Sequence, residues 1–256
     1  MAHAASMAYG KYRDFLGYLR PTWFSHPWWK SVHWMNQRAT PDKAYVPAPV
    51  EHIANVITHG VSILPSAFGS IILLSRSTSW IQFTAASVYG LSLVLCFAVS
   101  TAFHCIFYTN TNRQLKEILH RGDRAMIYVF IAASYFPWLL LRPLPTHSLV
   151  TTHLWWIVWA LAFSGIAYQQ VFHEKYKNIN TMVYIMVALG PALVVLQNKS
   201  LTRLEEMRII KGGLLYFVGI VFFKCDGTIP FAHAIWHLFV AFAASVHYFA
   251  ILDHLY

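Results

Sequence analysis

Seven apolar segments, separated by short polar stretches, dominate the sequence. They fall at about 53–75, 80–108, 124–141, 151–172, 180–197, 209–224 and 231–252. An α-helix needs roughly 20 apolar residues to cross a bilayer. In hydrocarbon every backbone N–H and C=O must find its partner inside the structure, and a helix supplies those partners by itself. The segments therefore predict an all-α polytopic membrane protein with seven transmembrane helices. Charge content agrees: 11% of residues are charged, where a soluble domain carries about a quarter. A disordered chain, a coiled coil and an ordinary soluble enzyme are all excluded. Pro65, Pro137 and Pro191 fall inside segments, which spanning helices tolerate when their neighbours satisfy the freed carbonyls.

Two regions are expected: residues 1–50, rich in Trp and Pro, and a seven-helix domain over 51–256. The first holds Trp23, Phe24, Trp28, Trp29 and Trp34, with Pro21, Pro27, Pro41, Pro47 and Pro49. Those prolines forbid a long helix. An irregular segment with tryptophans at headgroup level is expected, and a partner-binding tail is the functional alternative. The start of the chain lacks the apolar run of a cleavable signal peptide.

Orientation follows from positive charge. With seven spans, the N-terminal segment shares a side with the 2–3, 4–5 and 6–7 connections, and together these hold 13 Lys and Arg against 6 on the other side. The N-terminus is then cytoplasmic and the C-terminus outside or lumenal. The net charge of +9 reads as topology and as attraction to anionic headgroups. Membrane lipids are expected partners and nucleic acid is not. Cys96, Cys105 and Cys225 form no CxxC pair, so neither a disulfide framework nor a cysteine zinc site is implied. The sequon Asn198-Lys199-Ser200 lies on the outer side, too close to a span for glycosylation to be expected.

Histidine is the chemically informative residue, with 14 in the chain. His104 ends the second segment. His233 and His237 open the seventh, and their i,i+4 spacing puts them on one helical face. Ionisable groups in spans are rare and usually face a polar interior. From spacing alone, a metal site and a pair of headgroup-wetted interfacial histidines both stand. Topology sharpens the choice. The second and seventh spans run in opposite senses, so His104 and the His233–His237 pair reach the same, cytoplasmic, level. Asp123 opens the third span there as well. Three imidazoles can build a tetrahedral zinc site with an open position. A zinc so held brings a bound water toward neutral pKa and makes a hydroxide nucleophile, with Asp123 to hold or deprotonate that water. Ser100, one turn before His104, could assist; the plainer alternative is a serine bonded to its own backbone. Glu51, Asn55 and His59 share one face of the first span. Capping explains the first and second better than the third, and the set reads as residues that support the metal ligands or orient a substrate. Asp226 is expected to shape the turn into span seven. Arg124 is expected to pair with Asp123 or reach phosphates. His247, His254 and Asp253 are expected to meet headgroups, and His173 needs no special account.

Glu51-x3-Asn55-x3-His59, Ser100-x3-His104, Asp123 and His233-x3-His237 resemble the progestin and adipoQ receptor family, related to hemolysin III proteins. The segments HRGDRAMIYVFIAASYFPWL and FFKCDGTIPFAHAIWHLFVAFAASVHYFAI are similar to its monocyte to macrophage differentiation factor branch. The resemblance covers about residues 44–254. It implies seven helices with an inside N-terminus, Zn2+ on His104, His233 and His237, and a water near Asp123. It implies ceramide hydrolysis by analogy with adiponectin-receptor relatives, and Golgi or endolysosomal signalling by analogy with the branch. Two functions follow as expectations. One is a signalling protein of endomembranes, working through protein partners around a zinc site near the cytoplasmic face. The other is a zinc-dependent lipid-amide hydrolase of ceramidase type acting on a lipid substrate. A pore ranks third, because no line of charged groups crosses the spans.

Overall fold

In a computed structural model of the chain, residues 30–40, 43–109, 111–142, 144 and 148–256 are described. Trp23, Phe24, Trp28, Trp29, Pro21, Pro27, Pro41, His26 and His147 lie outside them. The chain divides into two compact units, residues 1–34 and 35–256. The described part of the first, residues 30–34, contains no long helix. The second begins with an irregular strap, described over residues 35–40 and 43–48, and continues into seven helices.

These are α1 (Pro49–Arg76), α2 (Trp80–Thr109), α3 (Arg113–Leu141), α4 (Leu149–Val171), α5 (Lys177–Val195), α6 (Arg203–Phe223) and α7 (Ala232–Leu255). No strand occurs among the described residues. The local sequence explains the starts. Proline opens α1 and Glu51 sits in its first turn, where a fixed φ and a negative charge both suit a helix N-terminus. Asn112 caps α3 by accepting from the Leu115 N–H at 3.1 Å. Ser148 with Thr151, and Thr202 with Glu205, form reciprocal capping boxes on α4 and α6. Pro65, Pro137 and Pro191 lie inside α1, α3 and α5, as the sequence predicts.

Six of the seven helices are long and apolar enough to cross a membrane. The exception is α6, which places Arg203, Glu205, Glu206, Arg208 and Lys211 in its first nine positions. Packing shows the solvent these helices are built for. On α1 the outward stripe is Ile53, Ile57, Val61, Leu64 and Phe68, each about half to four-fifths exposed, while Glu51, Asn55 and His59 face inward. Polar inside and apolar outside inverts the pattern of a helix in water and fits lipid. A polytopic membrane protein is thus what the chain forms.

α2 packs between α1 and α3; α7 packs on α6 and closes against α1 and α3. The third helix corrects the sequence reading. RQLKEILHRGD was expected as a polar connection, yet α3 begins at Arg113. These residues carry too many charges to read as a span, but residues 113–119 are nearly all good helix formers and extend α3 beyond its apolar run. Asp123 therefore lies ten residues into α3 rather than at its start.

Candidate metal centre

At one end of the helices, α1, α2, α3 and α7 bring polar side chains around a small chamber. His52, His59, Ser100, His104, Asp123, His233 and His237 line it, with Asp226 from the α6–α7 turn. The ring centroids of His104, His233 and His237 are separated by 5.3 Å (104–233), 5.1 Å (104–237) and 4.8 Å (233–237). Each offers one ring nitrogen, and the three offered atoms lie within 4.8 Å of one another. The i,i+4 spacing predicted by sequence thus brings two candidate ligands from α7, and α2 brings a third.

The hydrogen bonds show which nitrogens are available. Thr58 donates its hydroxyl hydrogen to the Ala54 carbonyl at 2.8 Å. Its oxygen, 3.1 Å from His237 Nδ1, is then left to accept, which assigns the proton to Nδ1 and frees Nε2. Asp226 Oδ2 lies 3.2 Å from His233 Nδ1. A carboxylate accepts there, so His233 too presents Nε2. Both ring nitrogens of buried His104 lack a protein partner. Fixing Nδ1 by a hydroxyl or carboxylate is the usual support behind a metal-bound histidine. The residues present fit a tetrahedral metal with three imidazoles and one open position.

Around these three the packing is specific. His59 stacks on His237 with centroids 3.6 Å apart and planes 16° from parallel. Phe97 meets His59 edge-on at 5.1 Å. Ser100 is not spent on its own backbone: it is 2% exposed, and its hydroxyl faces the Asp123 carboxylate. Asp123 lines the chamber without joining the three-histidine group. Of the set on α1, His59 reaches the chamber, Glu51 accepts from the Tyr45 hydroxyl at 2.9 Å, and Asn55 is buried with no side-chain partner. Burial and the Glu51 carboxylate together push the Tyr45 phenol up from its ordinary range.

The structure corrects several sequence expectations. Arg124 does not pair with Asp123 among the described contacts; its Nη2 is 2.5 Å from Glu174. Asp226 does more than shape a turn, since it holds His233. His254, Asp253 and His247 have protein partners: Glu205 at 4.0 Å, Arg208 at 2.5 Å, and the stacked ring of Tyr216. Thr58 was missed, although it continues the inward stripe of α1 after Glu51 and Asn55. A second group, His120, His173 and Glu174, was also missed. Its atoms are already engaged: His120 Nδ1 and His173 Nε2 are 3.2 Å apart, Arg124 donates to His120 Nε2, and Lys177 is 3.4 Å from Glu174. That group ties α3 to the α4–α5 turn. Asn198 is 3% exposed, and its Oδ1 accepts from Ser200 N and Oγ. The sequon's amide is therefore packed away.

A seven-helix membrane bundle with three histidines converging from its second and last helices defines a class, and comparison with known proteins agrees with it. The family model described as "Haemolysin-III related" matches residues 49–248, and the chain belongs to that family. It is 44% identical over 223 residues to the human "Monocyte to macrophage differentiation factor", covering 87% of this chain and 92% of that protein. It is 33% identical over 212 residues to the "Hemolysin-3 homolog" of Bacillus subtilis (strain 168), covering 79% and 93%. The "Hemolysin-3" of Bacillus cereus is 34% identical over 214 residues, covering 79% and 90%.

Proposed function

We propose that the chamber holds a zinc ion on His104, His233 and His237, at the cytoplasmic end of the bundle, and hydrolyses an amide-linked lipid. What carries this reading is the arrangement of nitrogens: two imidazoles are held through Nδ1, a third is buried without a partner, and an acid stands in the same chamber outside the ligand group. Three neutral imidazoles with an open position suit zinc among the common divalent metals. Bound there, the ion supplies a Lewis acid and an acidified water. The chain's own residues do the rest. Asp123 takes a proton from the attacking water and returns it to the leaving nitrogen. Ser100, whose buried hydroxyl faces Asp123, turns its hydrogen to the carbonyl oxygen as charge builds there. Thr58 and Asp226 keep the two α7 imidazoles in the tautomer that can bind.

A second reading keeps the zinc as a staple between α2 and α7 in a signalling protein, and the name of the human relative, a differentiation factor, favours it. The test is release of free fatty acid from an N-acyl sphingoid lipid by the purified chain in lipid nanodiscs, before and after chelation. Release that stops on chelation and returns with zinc supports the hydrolase. A zinc-loaded, folded protein that releases none rejects it and leaves the staple.

The supporting residues give a separate expectation. Thr58→Val and Asp226→Leu each keep the ligand set but remove the acceptor for an Nδ1–H. Zinc affinity falls about 10–100-fold in each, as measured by competition with a fluorescent chelator. Unchanged affinity in both variants would show that neither residue orients a ligand.

A further inference from the structure

A second, larger cavity adjoins the chamber. It measures about 580 Å³, inside the roughly 300–1,000 Å³ range of small-molecule sites. Tyr45, Arg124, Phe223 and Asp226 line both spaces. The cavity is bounded by the strap, the α4–α5 turn, the start of α5 and the end of α6. Its described walls carry five cations, Arg38, Arg124, Lys175, Lys177 and Lys224, against two acids, Glu174 and Asp226.

Both acids are already committed. Glu174 holds Arg124 at 2.5 Å and Lys177 at 3.4 Å. Asp226 faces His233. Arg38, Lys175 and Lys224 have no ion pair among the described residues: Lys175 lies over the Tyr176 ring at 5.5 Å, and Lys224 donates to Asn178 Oδ1 at 2.7 Å. Like charges gathered around a concave surface repel, and low-dielectric walls sharpen the field. The molecule shows the cost: burial, then the charges of Arg38, Lys177 and Arg124, push the Lys224 ammonium below its ordinary range. Backbone geometry maintains the crowding. Gly227, at φ +72°, lets the strap lie so close that a Cβ there would collide with the Arg38 backbone. Glu174 itself adopts φ +61° in the turn that presents Lys175 and Lys177. The first turn of α5 faces the same space, and Tyr176 at its cap makes no side-chain hydrogen bond. Its N–H groups add to a positive potential.

We propose that this cavity is an anion-binding vestibule that takes a phosphate-bearing group at the mouth of the histidine chamber. A phosphoryl group presents three oxygens and suits lysine and arginine donors converging from several directions. Two sources share this chemistry, a lipid headgroup and a soluble phosphate compound. Basic residues spread along a membrane surface also meet lipid phosphates, but they do not enclose a cavity or need a strained turn and a glycine to bring them together. The vestibule does not depend on a metal in the chamber.

The test uses the full chain in a neutral, phosphate-free detergent. The probes are inorganic phosphate, a short-chain phosphatidic acid, and the matching uncharged diacylglycerol. Saturable binding of the phosphatidic acid and none of the diacylglycerol is expected. Arg38→Gln with Lys175→Gln, both at exposed positions without ion pairs, weakens binding about tenfold or more. A control pair at the opposite end, Lys199→Gln with Arg203→Gln, leaves it unchanged. Binding survives in His237→Ala, which separates this site from the zinc reading. Phosphatidic acid bound at least tenfold more tightly than inorganic phosphate assigns a lipid headgroup; equal affinities assign a soluble phosphate compound. No saturable binding of either probe by folded wild type, or unaltered binding in the Arg38–Lys175 variant, overturns the proposal.

Discussion

Purified wild-type chain is expected to carry about one zinc ion per molecule, and His104→Ala or His237→Ala is expected to carry none. The effect is large because each is one of the three imidazoles whose nitrogens converge among the described residues. His104 is 3% exposed, and no protein group bonds either of its nitrogens. His237 is fixed from behind by Thr58 at 3.1 Å and stacked against His59 at 3.6 Å. Removing either leaves two of the three converging imidazoles; His52, His59 and Asp123 line the chamber, but none of them belongs to the ligand group. Elemental mass spectrometry of detergent-purified protein reads the result, with size-exclusion chromatography and circular dichroism to confirm folding. A folded wild type without metal sinks both readings of the chamber. The histidines would then be a packed aromatic cluster and nothing more.

Asp123→Asn carries the second large effect. The side chain keeps its size and its ability to hydrogen-bond, but it can no longer take a proton. Turnover of the lipid amide falls by about 10²–10⁴, the usual share of a general base, while zinc content stays at the wild-type level. That combination separates chemistry from scaffolding. If metal and turnover vanish together, Asp123 is structural. If turnover persists, some other group moves the proton, and Asp123 is not the base. A signalling protein stapled by zinc keeps its output in this variant. Ser100→Ala, which removes one hydrogen-bond donor, is the milder companion.

Most of the chamber can be read from sequence because helices impose a period. Spacings of four residues place Ser100 with His104 and His233 with His237, and alternating spans bring the two pairs to one level. The features that escaped are those in which one residue has two explanations. Asp226 sits in an Asp-Gly turn before a proline, and that turn chemistry hides its contact with His233, seven residues along the chain. Thr58 looks like any helix threonine bonded to its own backbone, and it is one; its unused lone pair does the further work. The start of α3 was missed because hydropathy marks where lipid ends, whereas the helix continues past that point. The group around Glu174 depends on contacts between residues about 50 apart in sequence, which no local spacing reveals.

The charged beginning of α6 bears on how the bundle closes. Arg203–Phe223 is the helix among the described seven that fails to present a sufficiently uncharged run. Charges cost about 2.5–3.5 kcal/mol each at mid-bilayer on insertion scales. Its counter-charges lie on other elements: Arg142, at the end of α3, is 3.1 Å from Glu205, and Asp253, near the end of α7, is 2.5 Å from Arg208. Gly212 of α6 leaves room for His247 of α7, whose ring would collide with any Cβ placed there. α6 therefore depends on α3 and α7 for the partners of its charges. The helix that brings two of the chamber's three converging histidines is thus also the one that accommodates α6, so that the charged helix and the chamber share one wall.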